Sequence, residues 1–124
     1  MKKLLTLSLF LILPFSSLNP EINDSDKEKL VKCLGPYAAH SFLTQDKLSL
    51  ENIEHSHGGK KFLTMYLIEN GMNEDEVNKK MIEITDEIYG QPFDDKGSKD
   101  CDTNVNNLIP GSKEKIDELG SNQY

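Results

Sequence analysis

The residues in this chain best suited to chemistry sit in three small groups. The first is His55-Ser56-His57, followed by Gly58-Gly59. Two imidazoles beside a flexible turn could hold zinc or copper, with His40 and Glu54 as the other candidate ligands. A zinc site, however, draws three or four protein ligands at recognisable spacing, and these histidines lack the i, i+4 spacing of a zincin helix. The cluster is therefore read as an exposed polar turn before a helix, with no metal assigned. The second group is Asp100-Cys101-Asp102-Thr103-Asn104, whose alternating oxygen side chains continue at Asn106. A calcium loop begins this way, but it needs Gly sixth and Glu twelfth. Val105 and Gly111 occupy those places, so a solvated loop is expected and no metal is assigned.

The third group is the cysteine pair, Cys33 and Cys101. They are too far apart for a thioredoxin-like redox motif and too few for a zinc centre. In an oxidising compartment the expected outcome is a disulfide between them. The chain-entropy model gives about 4 kcal/mol for closing a loop of roughly 67 residues. Catalytic constellations are otherwise scarce. No serine lies in Gly-x-Ser-x-Gly or Ser-x-x-Lys context, and no glycine-rich loop could cradle phosphate. The reading is of a protein that is not an enzyme, with no catalytic residue and no cofactor.

Export is written at the start of the chain. Met1-Lys2-Lys3 precedes an apolar run from Leu4 to Phe15, interrupted by Thr6, Ser8 and Pro14. This is the charged n-region and short h-region of a secretory signal peptide, shorter than the roughly 20 apolar residues that span a bilayer. Residues 1–17 are read as the signal peptide and residues 18–124 as a single domain. The mature protein is expected to begin between Ser17 and Glu21, in the bacterial periplasm or outside the cell, with no stable membrane anchor.

The full chain carries 14 Lys and Arg against 21 Asp and Glu, a formal charge of −7. Removing Lys2 and Lys3 leaves 12 cations against 21 acids, or −9, and there is no arginine at all. Without guanidinium forks or a basic footprint the composition argues against phosphate and nucleic-acid partners. An acidic surface is either simple solvation or a face for a basic partner.

The elements that must position these residues read as helices. Ser25 and Glu28 have capping-box spacing, and Leu30, Leu34, Ala38 and Phe42 follow at helical intervals. Gly35-Pro36 should kink this helix or divide it in two. A short helix around Leu48, Leu50 and Ile53, capped by Ser49, should end at Gly58-Gly59. A helix from Lys60 to Asn70, apolar almost all round, should then sit centrally and stop at Gly71. Asn73 opens the clearest helix, with Val77, Met81, Ile84 and Ile88 as its stripe, ended by Gly90 and Pro92. About 91–111 is polar and Asp/Asn-rich and predicts a long loop. A last turn or two should follow from Ser112 to Leu119. Tyr37, Phe42, Phe62, Met65 and Tyr66 belong to the core or line a groove.

The fold expected is all-α: a small bundle of three to four helices clasped by one disulfide, preceded by a signal peptide. In layout alone, a disulfide around a few helices after a signal peptide, it resembles periplasmic acid-stress chaperones and periplasmic immunity proteins against cell-wall-degrading toxins. No motif is shared, so no residue role carries over. By elimination the expected function is a small exported non-catalytic binding protein with a protein partner, most concretely an inhibitor or immunity-type protein. The alternatives are a periplasmic acid-stress chaperone and a small hydrolase or metal-binding protein.

Overall fold

A computed structural model describes residues 22–121. The signal-peptide reading falls outside them. Among the described residues no helix is long and apolar enough to cross a membrane. The architecture is all-helical: α1 Asp24–Ser41, α2 Leu50–Glu69, α3 Glu74–Ile88, α4 Asp95–Leu108 and α5 Ser112–Ser121. Among the described residues five helices stand where three or four were expected. The extra one comes from the 91–111 segment, which is largely helix α4 rather than a loop.

Helix α4 was hidden by its composition. Its buried stripe is Ser98, Cys101, Val105 and Leu108, of which Ser98 and Val105 are buried and the other two half-buried. The spacing of three, four and three is helical, but the stripe holds only two ordinary apolar residues. Asp94 caps its start by accepting from the Gly97 amide at 2.9 Å. Two i, i+4 pairs run along its outer face, Lys99 with Asp95 and Lys96 with Asp100, each at 3.0 Å. Such exposed pairs add only a few tenths of a kcal/mol apiece. Attachment to the rest of the molecule holds the helix: Cys33 and Cys101 form a disulfide between α1 and α4, with Cα atoms 5.7 Å apart.

Helix α1 begins two residues earlier than the Ser25 capping box implied. Asn23 is the cap, its side chain accepting from the Asp26 amide at 2.8 Å. Asp24 and Asp26 then face the positive pole of the helix dipole. Pro36 lies within α1, which is one helix rather than two. The residue before it, Gly35, faces α3 at such close range that a Cβ there would lie 2.0 Å from Ile84 Cγ2. Contact with α3 thus holds the segment that proline weakens.

The same physics reverses the expectation at Gly58-Gly59, which lie inside α2. Two glycines cost a helix about 1 kcal/mol each relative to alanine. Here they permit approach. A Cβ on Gly58 would meet the Ile116 carbonyl oxygen of α5 at 2.0 Å, and one on Gly59 would meet the Tyr37 ring of α1 at 2.6 Å. Gly120 of α5 returns the favour, its missing Cβ facing the Glu54 carbonyl oxygen at 2.2 Å. Gly71 and Gly90 do stop helices as read, at φ of 101° and 84°.

Helices α1 and α2 together form the centre: α1 packs on α2, α3 and α4, α2 packs also on α3 and α5, and α5 closes against α4. Leu30, Leu34, Tyr37, Leu63, Leu67, Val77, Val105 and Ile116 form the core, all 1% exposed or less. The α2 segment from Lys60 is not covered all round: Met65 is 51% exposed. Along the α3 stripe Val77 is enclosed, whereas Met81, Ile84 and Ile88 are half-buried.

A candidate binding cleft and a saturated histidine

The chemistry-bearing residues singled out from the sequence do not gather into one site. His55 and His57 lie on α2 rather than on a turn, two positions and therefore about 200° apart around the helix. His40 ends α1. Residues 100–106 are helical, so alternate oxygen side chains face different directions instead of encircling an ion. Asp100 points outward to Lys96, and Asp102 points inward.

His55 is held by carboxylates on both sides. Its Nε2 donates to Asp102 Oδ1 at 2.8 Å and its Nδ1 to Asp117 Oδ1 at 3.0 Å. The Tyr37 hydroxyl donates to the same Asp102 oxygen. Donation from both ring nitrogens requires the imidazolium form. The Asp102 bond, assisted by Asp117, accordingly raises the His55 pKa above its ordinary value although burial opposes it. Burial, then Asp102, pushes the Tyr37 phenol far above its usual range. A histidine whose nitrogens are both engaged has no free lone pair to take a proton from a nucleophile, so this is poor general-base geometry. The cluster is also a structural tie. It joins α1, α2, α4 and α5 at one point, one residue from the disulfide. Nothing local in the sequence marks it, because Tyr37, His55, Asp102 and Asp117 come from four separate helices.

The surface holds a better candidate. A cleft of about 310 Å³ opens between the end of α1, the loop after it, the end of α3 and the start of α4. Pro36, Ala39, Leu43, Ile88 and Pro92 give it apolar walls, and Lys47 and Asp94 supply one charge of each sign. Phe42 and Tyr89 stand at its mouth, 61% and 71% exposed. The same two rings border a second hollow of about 270 Å³ reaching Ala38, Met81 and Ile82. Ile82 is itself 58% exposed. The Lys60 ammonium sits 5.2 Å from the centre of the Phe42 ring, a distance at which the ring face attracts a cation. Burial, and then Lys61, lower the Lys60 pKa.

This apolar continuity is what sequence reading missed. By spacing alone Phe42 falls with Tyr37, Phe62, Met65 and Tyr66 as core or groove. The structure divides the five: Tyr37 is core, Phe42 borders the cleft, and the other three border a shallow hollow between α2 and α5. Tyr89 follows the α3 stripe by one position and gave no signal of its own. Comparison of the chain with protein-family models, with curated proteins and with solved structures finds no match.

Proposed function

We propose that this is a non-catalytic binding protein of the bacterial cell envelope, which takes apolar side chains of a protein partner into the cleft between α1, α3 and α4. The observation that carries this reading is the pair of exposed rings, Phe42 and Tyr89, shared by two adjoining apolar hollows. Exposed aromatics around a concave apolar surface are the anchors and pockets of protein recognition. The engagement of both His55 nitrogens supports a role without catalysis. The disulfide supports an oxidising compartment, in keeping with an export signal over residues 1–17. An inhibitor or immunity-type protein is the most concrete form of this function, since such a protein needs only a rigid complementary face.

The test is recovery of a stoichiometric partner from envelope extract by the tagged, exported protein. Phe42→Ser with Tyr89→Ser should abolish recovery, whereas Met65→Ser, on the α2–α5 side, should not. A partner retained by the double variant and lost with Met65→Ser would move the binding face elsewhere. Intact-mass measurement of the exported protein checks the compartment: a start between Ser17 and Glu21 is expected, and retention of Met1 to Phe15 would overturn it.

A further inference from the structure

His40 lies beneath the cleft, in the last turn of α1, and is only 6% exposed. Its ring and that of Phe93 meet in a T-shaped contact, centroids 4.5 Å apart and planes 63° from parallel. Its Nδ1 is buried with no hydrogen-bond partner, an arrangement that natural interiors avoid. Phe93 belongs to the short segment from Gly90 to Asp94 that forms one wall of the cleft. The ties of that segment to α3 are few: the Gln91 amide to the Ile88 carbonyl at 3.1 Å and the Gln91 side chain to the Glu87 carbonyl at 3.3 Å. Pro92 has no amide to offer. The aromatic contact with His40 ties the segment to α1, and Asp94 at its far end is held to α4 by the Gly97 and Ser98 amides, each at 2.9 Å.

We propose that His40 is a proton-operated latch on the cleft: neutral, it holds Phe93 and the Gly90–Asp94 wall against α1, and protonated, it releases them and opens the cleft. This rests on the cleft being the binding site and adds its regulation. The groups facing the imidazole decide the direction. Lys47 of the α1–α2 loop, Tyr89 at the end of α3 and Asp94 before α4 share the cleft with it. Lys60 of α2 and Asp86 of α3 lie across the adjoining hollow. Asp94 favours the cation, as does the negative pole at the end of α1. Burial opposes it and prevails, lowering the His40 pKa from its ordinary 6.5. A group with a depressed folded-state pKa contributes fully above the ordinary value, and its contribution fades as pH falls towards the lower one. The latch is closed at neutral pH and opens on acidification.

The experiment follows the full mature protein by NMR through an acid titration, with 1-anilinonaphthalene-8-sulfonate fluorescence as a second reading. The His40 ring and the Gly90, Gln91, Phe93 and Asp94 amides should share one midpoint below 6.5. Dye fluorescence should rise with that midpoint. His40→Phe keeps an aromatic ring against Phe93 and removes the titrating nitrogen, so it should abolish the rise, while His57→Gln should retain it. Amides that stay still while the wild-type His40 ring titrates would overturn the latch, whatever the variant does. So would an undiminished dye rise in His40→Phe. Dye bound equally at every pH would refute the latch and leave the cleft standing. Failure of the Phe42 and Tyr89 changes to affect partner recovery would remove the cleft itself.

Discussion

Replacing Gly58 by alanine sets helix propensity against packing, and the two predict opposite signs. In an isolated helix the change adds about 1 kcal/mol of stability. In this fold the new Cβ would stand 2.0 Å from the Ile116 carbonyl oxygen and 2.8 Å from the Gly120 nitrogen, where ordinary contact begins at 3.4 Å. Both obstacles are backbone, so no side chain can turn aside. Helix α5 must retreat by about an ångström, loosening Ile116, which is 1% exposed, and drawing Asp117 away from His55. Overpacking of this kind costs typically 1–3 kcal/mol and occasionally more. With the lost contacts of α5 added and the propensity gain subtracted, the net expectation is a loss of about 2 kcal/mol. For a domain near 100 residues that lowers the melting temperature by roughly 8–16 °C. Urea denaturation of Gly58→Ala measures it. Gly35→Ala is the parallel case: its obstacles are Ile84 Cγ2 at 2.0 Å and Ile84 Cβ at 2.8 Å, and since rotation leaves Cβ in place and a β-branched side chain in a helix holds one rotamer, α3 must shift and a loss of the same sign is expected. A Gly58→Ala protein as stable as wild type would refute the close α2–α5 contact and leave helix propensity in command.

Other perturbations probe the clasp, the histidine cluster and the α3 stripe. Cys33→Ala should cost 2–5 kcal/mol in chemical denaturation, the range for small secreted domains, and reduction of the wild type should cost the same; two free thiols in the native protein would contradict the bond. The His55 pKa is raised, so its contribution should be complete below the ordinary 6.5 and be lost as pH rises through the folded-state value. Urea midpoints should therefore fall on the alkaline side in wild type and stay level there in His55→Asn. Ile84→Ala should cost about 2 kcal/mol, the low end for a truncated core residue because Ile84 is half-buried, while exposed Lys80→Ala should stay within about 0.5 kcal/mol. Alanine is the better helix former at both positions, so equal small effects would show that Ile84 does not pack on Gly35.

What could be read from the sequence was whatever depends on local pattern or on a forced pairing. The α3 stripe, the stops at Gly71 and Gly90, and the single possible disulfide are of this kind. What could not be read depends on partners distant in sequence. Gly58-Gly59 looks like a break because its compensation, the backbone of α5 and the ring of Tyr37, lies 20 or more positions away. Helix α4 looks like a loop because a disulfide and one buried valine replace the usual apolar stripe. His55 read as part of an exposed polar turn because its two aspartates arrive from α4 and α5. The cleft was illegible for the same reason, since Phe42 and Tyr89 meet only after α1 and α3 have packed.

Site-specific photo-crosslinking tests the central claim, that the α1–α3–α4 cleft is the binding face, most directly. A benzophenone side chain would be placed in exported protein at position 89, at the cleft mouth, and separately at position 65 on the α2–α5 side. Illumination in intact cells should give a discrete adduct from position 89, suppressed by Phe42→Ser in the same chain, and none from position 65. An adduct from position 65 without one from position 89 would contradict the account and assign binding to the opposite surface.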